Sequence, residues 1–140
     1  MHMKFLTTLL IFFLTSSLAV AETATFKNLE NNVYDVQELT KMGADYEAFS
    51  QHTTELGLTL SRYKREMSGK ESSVYEAKIV EAAEEYILAL DQWRKSFKTY
   101  PAAYKSEGEL LARASITLRN ANIQDAAEAI SEAEALKKLP

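Results

Sequence analysis

Leu39, Met42, Tyr46, Phe49, Thr53, Leu56, Leu60, Tyr63 and Met67 follow one another at alternating steps of three and four. An α-helix turns once in about 3.6 residues, so this spacing lays nine side chains along one stripe. A stripe sustained over about four heptads has to be buried lengthwise against other helices, as in a bundle or coiled coil. Upstream, Leu29, Val33 and Val36 extend the seam with a drift in phase. The pattern predicts a first helix over residues 28–68, about 60 Å long at ~1.5 Å per residue. Arg62, Lys64 and Arg65 suit the negative end of its dipole, and Gly69 is a natural left-handed stop.

Ser73 and Glu76 form a capping box that opens a second helix. Its seam is Ile79, Ala83, Tyr86, Leu90, Trp93, Phe97 and Tyr100, with Pro101 marking its end. Val80 and Ile87 widen the apolar face, which calls for more than one neighbouring helix. A second box, Ser106 to Glu109, starts a third helix whose inward residues are expected to be Leu110, Leu111, Ala114, Leu118 and Ala121. The asparagines at 120 and 122 favour a break there, with Asn122 as N-cap of a last helix facing inward through Ile123, Ala126, Ile130, Ala133 and Leu136. A single helix over 106–138 also keeps a rough 3.6 period. No alternating strand pattern of any length occurs. The expected fold is all-α: an elongated antiparallel bundle of three to four helices, with a long N-terminal helix, a second long helix and a C-terminal hairpin or single helix.

The stretch NIQDAAEAISEAEAL resembles the second helix of a tetratricopeptide repeat, with Ala126, Ile130 and Ala133 at repeat-like spacing. Arg113 stands where a leucine belongs and there is no second copy, and one repeat cannot bury its own face. No family is assigned on this ground.

The first 21 residues have the layout of a secretory signal peptide: Lys4, the apolar run FLTTLLIFFL, and small residues ending in Ala19-Val20-Ala21. The apolar run falls short of the roughly 20 residues that span a bilayer. Cleavage near Ala21 is therefore expected, leaving a periplasmic or secreted protein with no stable membrane anchor. Residues 22–140 are expected to form a single helical domain. Without Lys4 that part carries 15 basic and 20 acidic side chains, a net charge of −5. Such a balance gives no global attraction to nucleic acid or anionic lipid. There are no cysteines, so thiol catalysis, thiolate metal sites and disulfides are impossible.

Candidate chemistry is sparse. His52 is the single histidine after the leader and flanks the seam. It could bind a haem with Met42 or Met67 as second ligand, although no Cys-x-x-Cys-His attachment motif exists. No Glu-x-x-His pair is present for a di-metal site, and Glu81, Glu84 and Glu85 fall off the seam, on a face expected to be solvated. There is no nucleophile elbow, phosphate loop or dinucleotide fingerprint. No resident metal or cofactor is expected, and the chain is read as a non-enzyme.

Binding surfaces are better candidates. Gly43, Ser50 and Gly57 recur at seven-residue spacing beside the first seam, a strip small enough for a partner helix to approach, or alternatively a kink near Gly57. In the aromatic and basic stretch QWRKSFKTYPAAY, Trp93, Phe97 and Tyr100 keep the seam's beat and belong to the core. Asp91 is placed to pair with Arg94 or Lys95. A small surface remains, made of Arg94, Lys98, Tyr104 and Lys105. The expected role is binding a protein, peptide or envelope component along a helix face, and the long first helix could also pair two copies as a homodimer. The alternative is a carrier for haem or a small hydrophobic molecule, with Tyr46, Phe49, Trp93 and Phe97 lining its pocket.

Overall fold

The computed structural model describes the backbone of residues 5–98 and 105–139, and the side chains of residues 24–97 and 113–139. The chain is all-helical, with four helices: α1 (Phe5–Met42), α2 (Tyr46–Glu66), α3 (Val74–Lys98) and α4 (Lys105–Lys137). Among the described residues there is no strand.

The long first seam is divided between two helices. Gly43 has φ +74°, a left-handed conformation that costs glycine nothing. Its N–H donates to the Thr40 carbonyl at 3.2 Å, and Ala44 N–H reaches back to the Leu39 carbonyl at 3.0 Å. This is the Schellman pattern, which satisfies the last carbonyls of a helix. Two residues on, Asp45 is extended and its carboxylate accepts from Ala48 N–H at 2.9 Å, capping α2. The expected continuous helix over 28–68 is thus interrupted at 43–45. Met42, placed by the heptad count on the seam, lies at the end of α1 and is 73% exposed. Gly57, the alternative site for a kink, does not split the helix, because α2 runs through that position.

The capping box at the start of α3 is formed. Glu76 N–H donates to Ser73 Oγ at 3.2 Å, and Ser73 N–H donates to the Glu76 carboxylate at 2.8 Å. Gly69, at φ +77°, turns the chain between α2 and α3.

One core joins all four helices. Leu29, Val33 and Val36 come from α1, and Phe49, Leu56, Leu60 and Tyr63 from α2. Ile79, Ala83, Tyr86 and Leu90 come from α3, and Ala126, Ile130 and Ala133 from α4. Cross-helix contacts join Asn32 to Thr59 between α1 and α2 and Lys64 to Glu84 between α2 and α3, while Lys78 with Glu132 and Glu85 with Asn122 pair rising with falling numbers between α3 and α4. Gly57 belongs to this packing, since a methyl group placed on it would lie 3.8 Å from Ile87 Cδ1, an ordinary contact.

The expected break at Asn122 is absent. α4 is one helix, and Asn122 donates from its side-chain amide to the Glu85 carboxylate of α3 at 2.7 Å. That cross-helix bond gives the asparagine a partner that competes with capping. The unbroken helix also carries the phase of Ala126, Ala129, Ile130 and Ala133 back toward its start. Inward positions become Ser115, Arg119 and Asn122, all half-buried, while Ala114, Leu118 and Ala121 are exposed. The expected inner face of the first half of α4 is therefore corrected at these three positions. Leu110, Leu111 and the Ser106–Glu109 box lie outside the described side chains.

The two glycines should respond oppositely to alanine. Gly57→Ala should stabilise the fold by about 0.5 to 1 kcal/mol, because helix propensity improves and the added methyl finds room. Gly43→Ala should cost about 1 kcal/mol or more, because alanine is strained at positive φ. Urea unfolding of both variants reads the difference.

Candidate functional site

The residues singled out in the sequence are not gathered in one place. Gly43 is the exposed stop of α1, and Gly57 faces α3. Ser50 is half-buried and receives a long hydrogen bond, 3.4 Å, from Arg94 Nη2 of α3. The small-residue strip does not continue as a helical surface through Gly43, because the helix ends there. Lys98 and Lys105 are the last residue of α3 and the first of α4, with side chains outside the described set, as is all of Tyr104. Asp91 pairs with Lys95 at 2.6 Å rather than with Arg94.

His52 is half-buried on α2. Met67 caps the same helix fifteen residues further on, about 22 Å away at ~1.5 Å per residue, too far to share one iron. Met42 is exposed beyond the turn at Gly43. Among the described residues no three His, Asp or Glu side chains gather as a metal site. Glu81, Glu84 and Glu85 are each engaged elsewhere, with Lys78, Lys64 and Asn122.

The aromatic part of QWRKSFKTYPAAY does form a cluster. Tyr46 packs edge-on against Trp93 at 5.5 Å between ring centroids and against Phe97 at 4.9 Å, and Phe49 lies 5.5 Å from Trp93. Phe97, expected in the core, is 58% exposed. Among the described residues its ring contact is with Tyr46, the first residue of α2. Tyr100 lies outside them.

Beside this cluster is a cleft of about 430 Å³, open to solvent. Phe49, Trp93 and Ile123 form its apolar wall, while Thr40, Asn120 and the Gly43-Ala44 turn supply polar groups. Arg119 also lines it, with its guanidinium carbon 4.5 Å from the centre of the Trp93 ring. Asn120 Oδ1 accepts from Arg119 Nε at 3.0 Å and from Nη2 at 2.7 Å. Burial lowers the arginine's pKa from its ordinary value. Phe49 and Trp93 were legible as lining residues. Arg119 was not, because its inward position follows only from the continuity of α4.

The most strongly engaged carboxylate among the described residues also escapes the sequence. Glu30 of α1 is only 4% exposed. It accepts from Lys27 at 2.7 Å, from Lys137 of α4 at 2.6 Å, and from the Tyr75 hydroxyl of α3. Lys137 also lies over the Tyr75 ring, 4.6 Å from its centre. Burial alone would raise the Glu30 carboxyl, but the bonds from Lys137, Lys27 and Tyr75 outweigh it and hold the group at about 2. Burial, then the bond to Glu30, push the Tyr75 phenol far up. Every donor around Glu30 belongs to the fold, so the cluster is a junction of three helices. A proximity of 107 residues between Glu30 and Lys137 leaves no local signal.

No known family, curated protein or solved structure matches the chain. Among the described residues no helix is long and apolar enough to cross a membrane.

The Glu30 junction sets a pH dependence. Its pKa falls from 4.5 to about 2 on folding, so its stabilisation is complete above about pH 4.5 and drains as pH drops toward 2. At about 1.4 kcal/mol per unit, the loss is about 3 kcal/mol at most. Glu30→Gln should flatten that part of the acid limb and cost about 2 kcal/mol at neutral pH. Chemical denaturation at a series of pH values checks both.

Proposed function

We propose that the chain is an exported, non-enzymatic antiparallel helical bundle, cleaved near Ala21, that binds a helix of another envelope protein along the outer face of α4. The observation that carries this reading is the strip Ala114, Leu118 and Ala121. These residues recur at steps of four and three, the spacing of a helix-packing seam, yet all three are exposed and Leu118 is 52% accessible. Small residues on either side of a leucine make a shallow hollow and a knob, which a second helix fills well. The same helix already uses another face, roughly 120° round the axis at ~100° per residue, where Ala126, Ile130 and Ala133 meet the core. A helix with apolar stripes on two sides fits between two neighbours, and the chain supplies one of them.

The earlier surface of Arg94, Lys98, Tyr104 and Lys105 is an accessory at most in this reading. The rival occupant of the strip is a second copy of the same chain. Cross-linking in the intact cell envelope separates the two by the mass of the product. A hetero-adduct that is lost in Leu118→Glu, with the helical signal of the purified variant unchanged, is the expected result. A homodimer band instead would replace the partner by a second copy, and an adduct indifferent to Leu118→Glu would remove the strip from the binding surface.

A further inference from the structure

Arg119 differs from the other arginines among the described residues, which are all exposed. Among the described residues Lys27, Lys64, Lys78, Lys95 and Lys137 each meet a carboxylate within 2.7 Å. Arg119 is half-buried and meets none; its polar partner is Asn120, a neutral amide. A guanidinium has five N–H donors, and the two bonds to Asn120 leave three, including both on Nη1. The Trp93 ring covers one face of the group and removes water from it. Desolvating a cation without an opposite charge is costly, and an anion arriving in the cleft would offset that cost.

The remainder of the cleft defines the rest of the ligand. Phe49, Trp93 and Ile123 present an apolar wall next to the guanidinium, and its volume of about 430 Å³ is in the range that holds a small organic molecule. We infer that this cleft binds a small organic carboxylate, with the anionic head on the free edge of Arg119 and an aromatic or aliphatic body against Phe49, Trp93 and Ile123. The planar fork of the guanidinium matches a carboxylate by two parallel hydrogen bonds. The site lies where the end of α1 and its turn meet α2, α3 and α4, and it opens to solvent. It is distinct from the outer strip of α4, so it stands or falls independently of the partner helix proposed above.

Trp93 is the single tryptophan of the chain, which makes its fluorescence a direct reporter of the cleft. The probes are phenylacetate, its neutral isostere phenylacetamide, and phenyl phosphate, titrated into the purified protein. Phenylacetate should produce a saturable change with a dissociation constant roughly millimolar or tighter. Phenylacetamide should bind at least about tenfold more weakly, because it offers no charge to the fork. Arg119→Gln should lose binding by a similar factor, and Arg119→Lys, which keeps the charge without the fork, should recover only part of it. The comparison of phenylacetate with phenylacetamide uses the unaltered chain, so it holds even where a variant unfolds. Equal binding of the acid and the amide, unchanged binding by Arg119→Gln, or no saturable signal would overturn the inference. Phenyl phosphate binding more than about tenfold tighter than phenylacetate would overturn the assignment of a carboxylate.

Discussion

An α-helix cannot change the direction in which its side chains point without breaking its own hydrogen bonds, and α4 runs unbroken from Lys105 to Lys137. Its second half is locked by Ala126, Ala129, Ile130 and Ala133, which are buried among the other helices. That lock dictates the first half. Ser115, Arg119 and Asn122 must face inward although they are polar, and Leu118 must face outward although it is apolar. Both proposed surfaces rest on this one constraint: the arginine beside Trp93 on the inside, and the apolar strip on the outside.

Two features hold the constraint in place. Asn122 finds the Glu85 carboxylate of α3, which satisfies the polar group that would otherwise end the helix. At the other end of α4, Lys137 bonds Glu30 of α1 and lies over the ring of Tyr75 of α3. The helix is thereby tied in rotation at two levels, one through an amide and one through a buried carboxylate. The turn at Gly43, Ala44 and Asp45 completes the cleft, because it stops α1 and brings polar backbone to the edge of the aromatic cluster.

Much of the core was legible from periodicity. Leu29, Val33, Val36, Phe49, Thr53, Leu56, Leu60 and Tyr63 are buried where the seam places them, and so are Ile79, Ala83, Tyr86 and Leu90. The turn between α1 and α2 had a local signal, a glycine two residues before an aspartate, which a heptad count passes over because the apolar spacing continues across it. The orientation of the start of α4 had none. Residue size points to Leu118 as an inward position, and only the contacts of the C-terminal half, together with the partner of Asn122, reverse that choice. Glu30 was equally hidden, since its key partner is at the far end of the chain. Phe49 and Trp93 could be named as lining residues from their size and spacing, whereas Arg119 becomes a site residue only when the phase is known.

The phase of α4 can be measured without any ligand or partner. The chain has no cysteine, so single-cysteine substitutions at positions 114, 115, 118, 121 and 122 can be labelled one at a time in the dilute purified protein. Alkylation should be fast at 114, 118 and 121 and at least about tenfold slower at 115 and 122, as partial burial slows access to the thiol. The opposite pattern, with 114, 118 and 121 protected and 115 and 122 reactive, would mean that α4 breaks near Asn122 and turns its leucine inward. That result would contradict both the cleft and the outer strip.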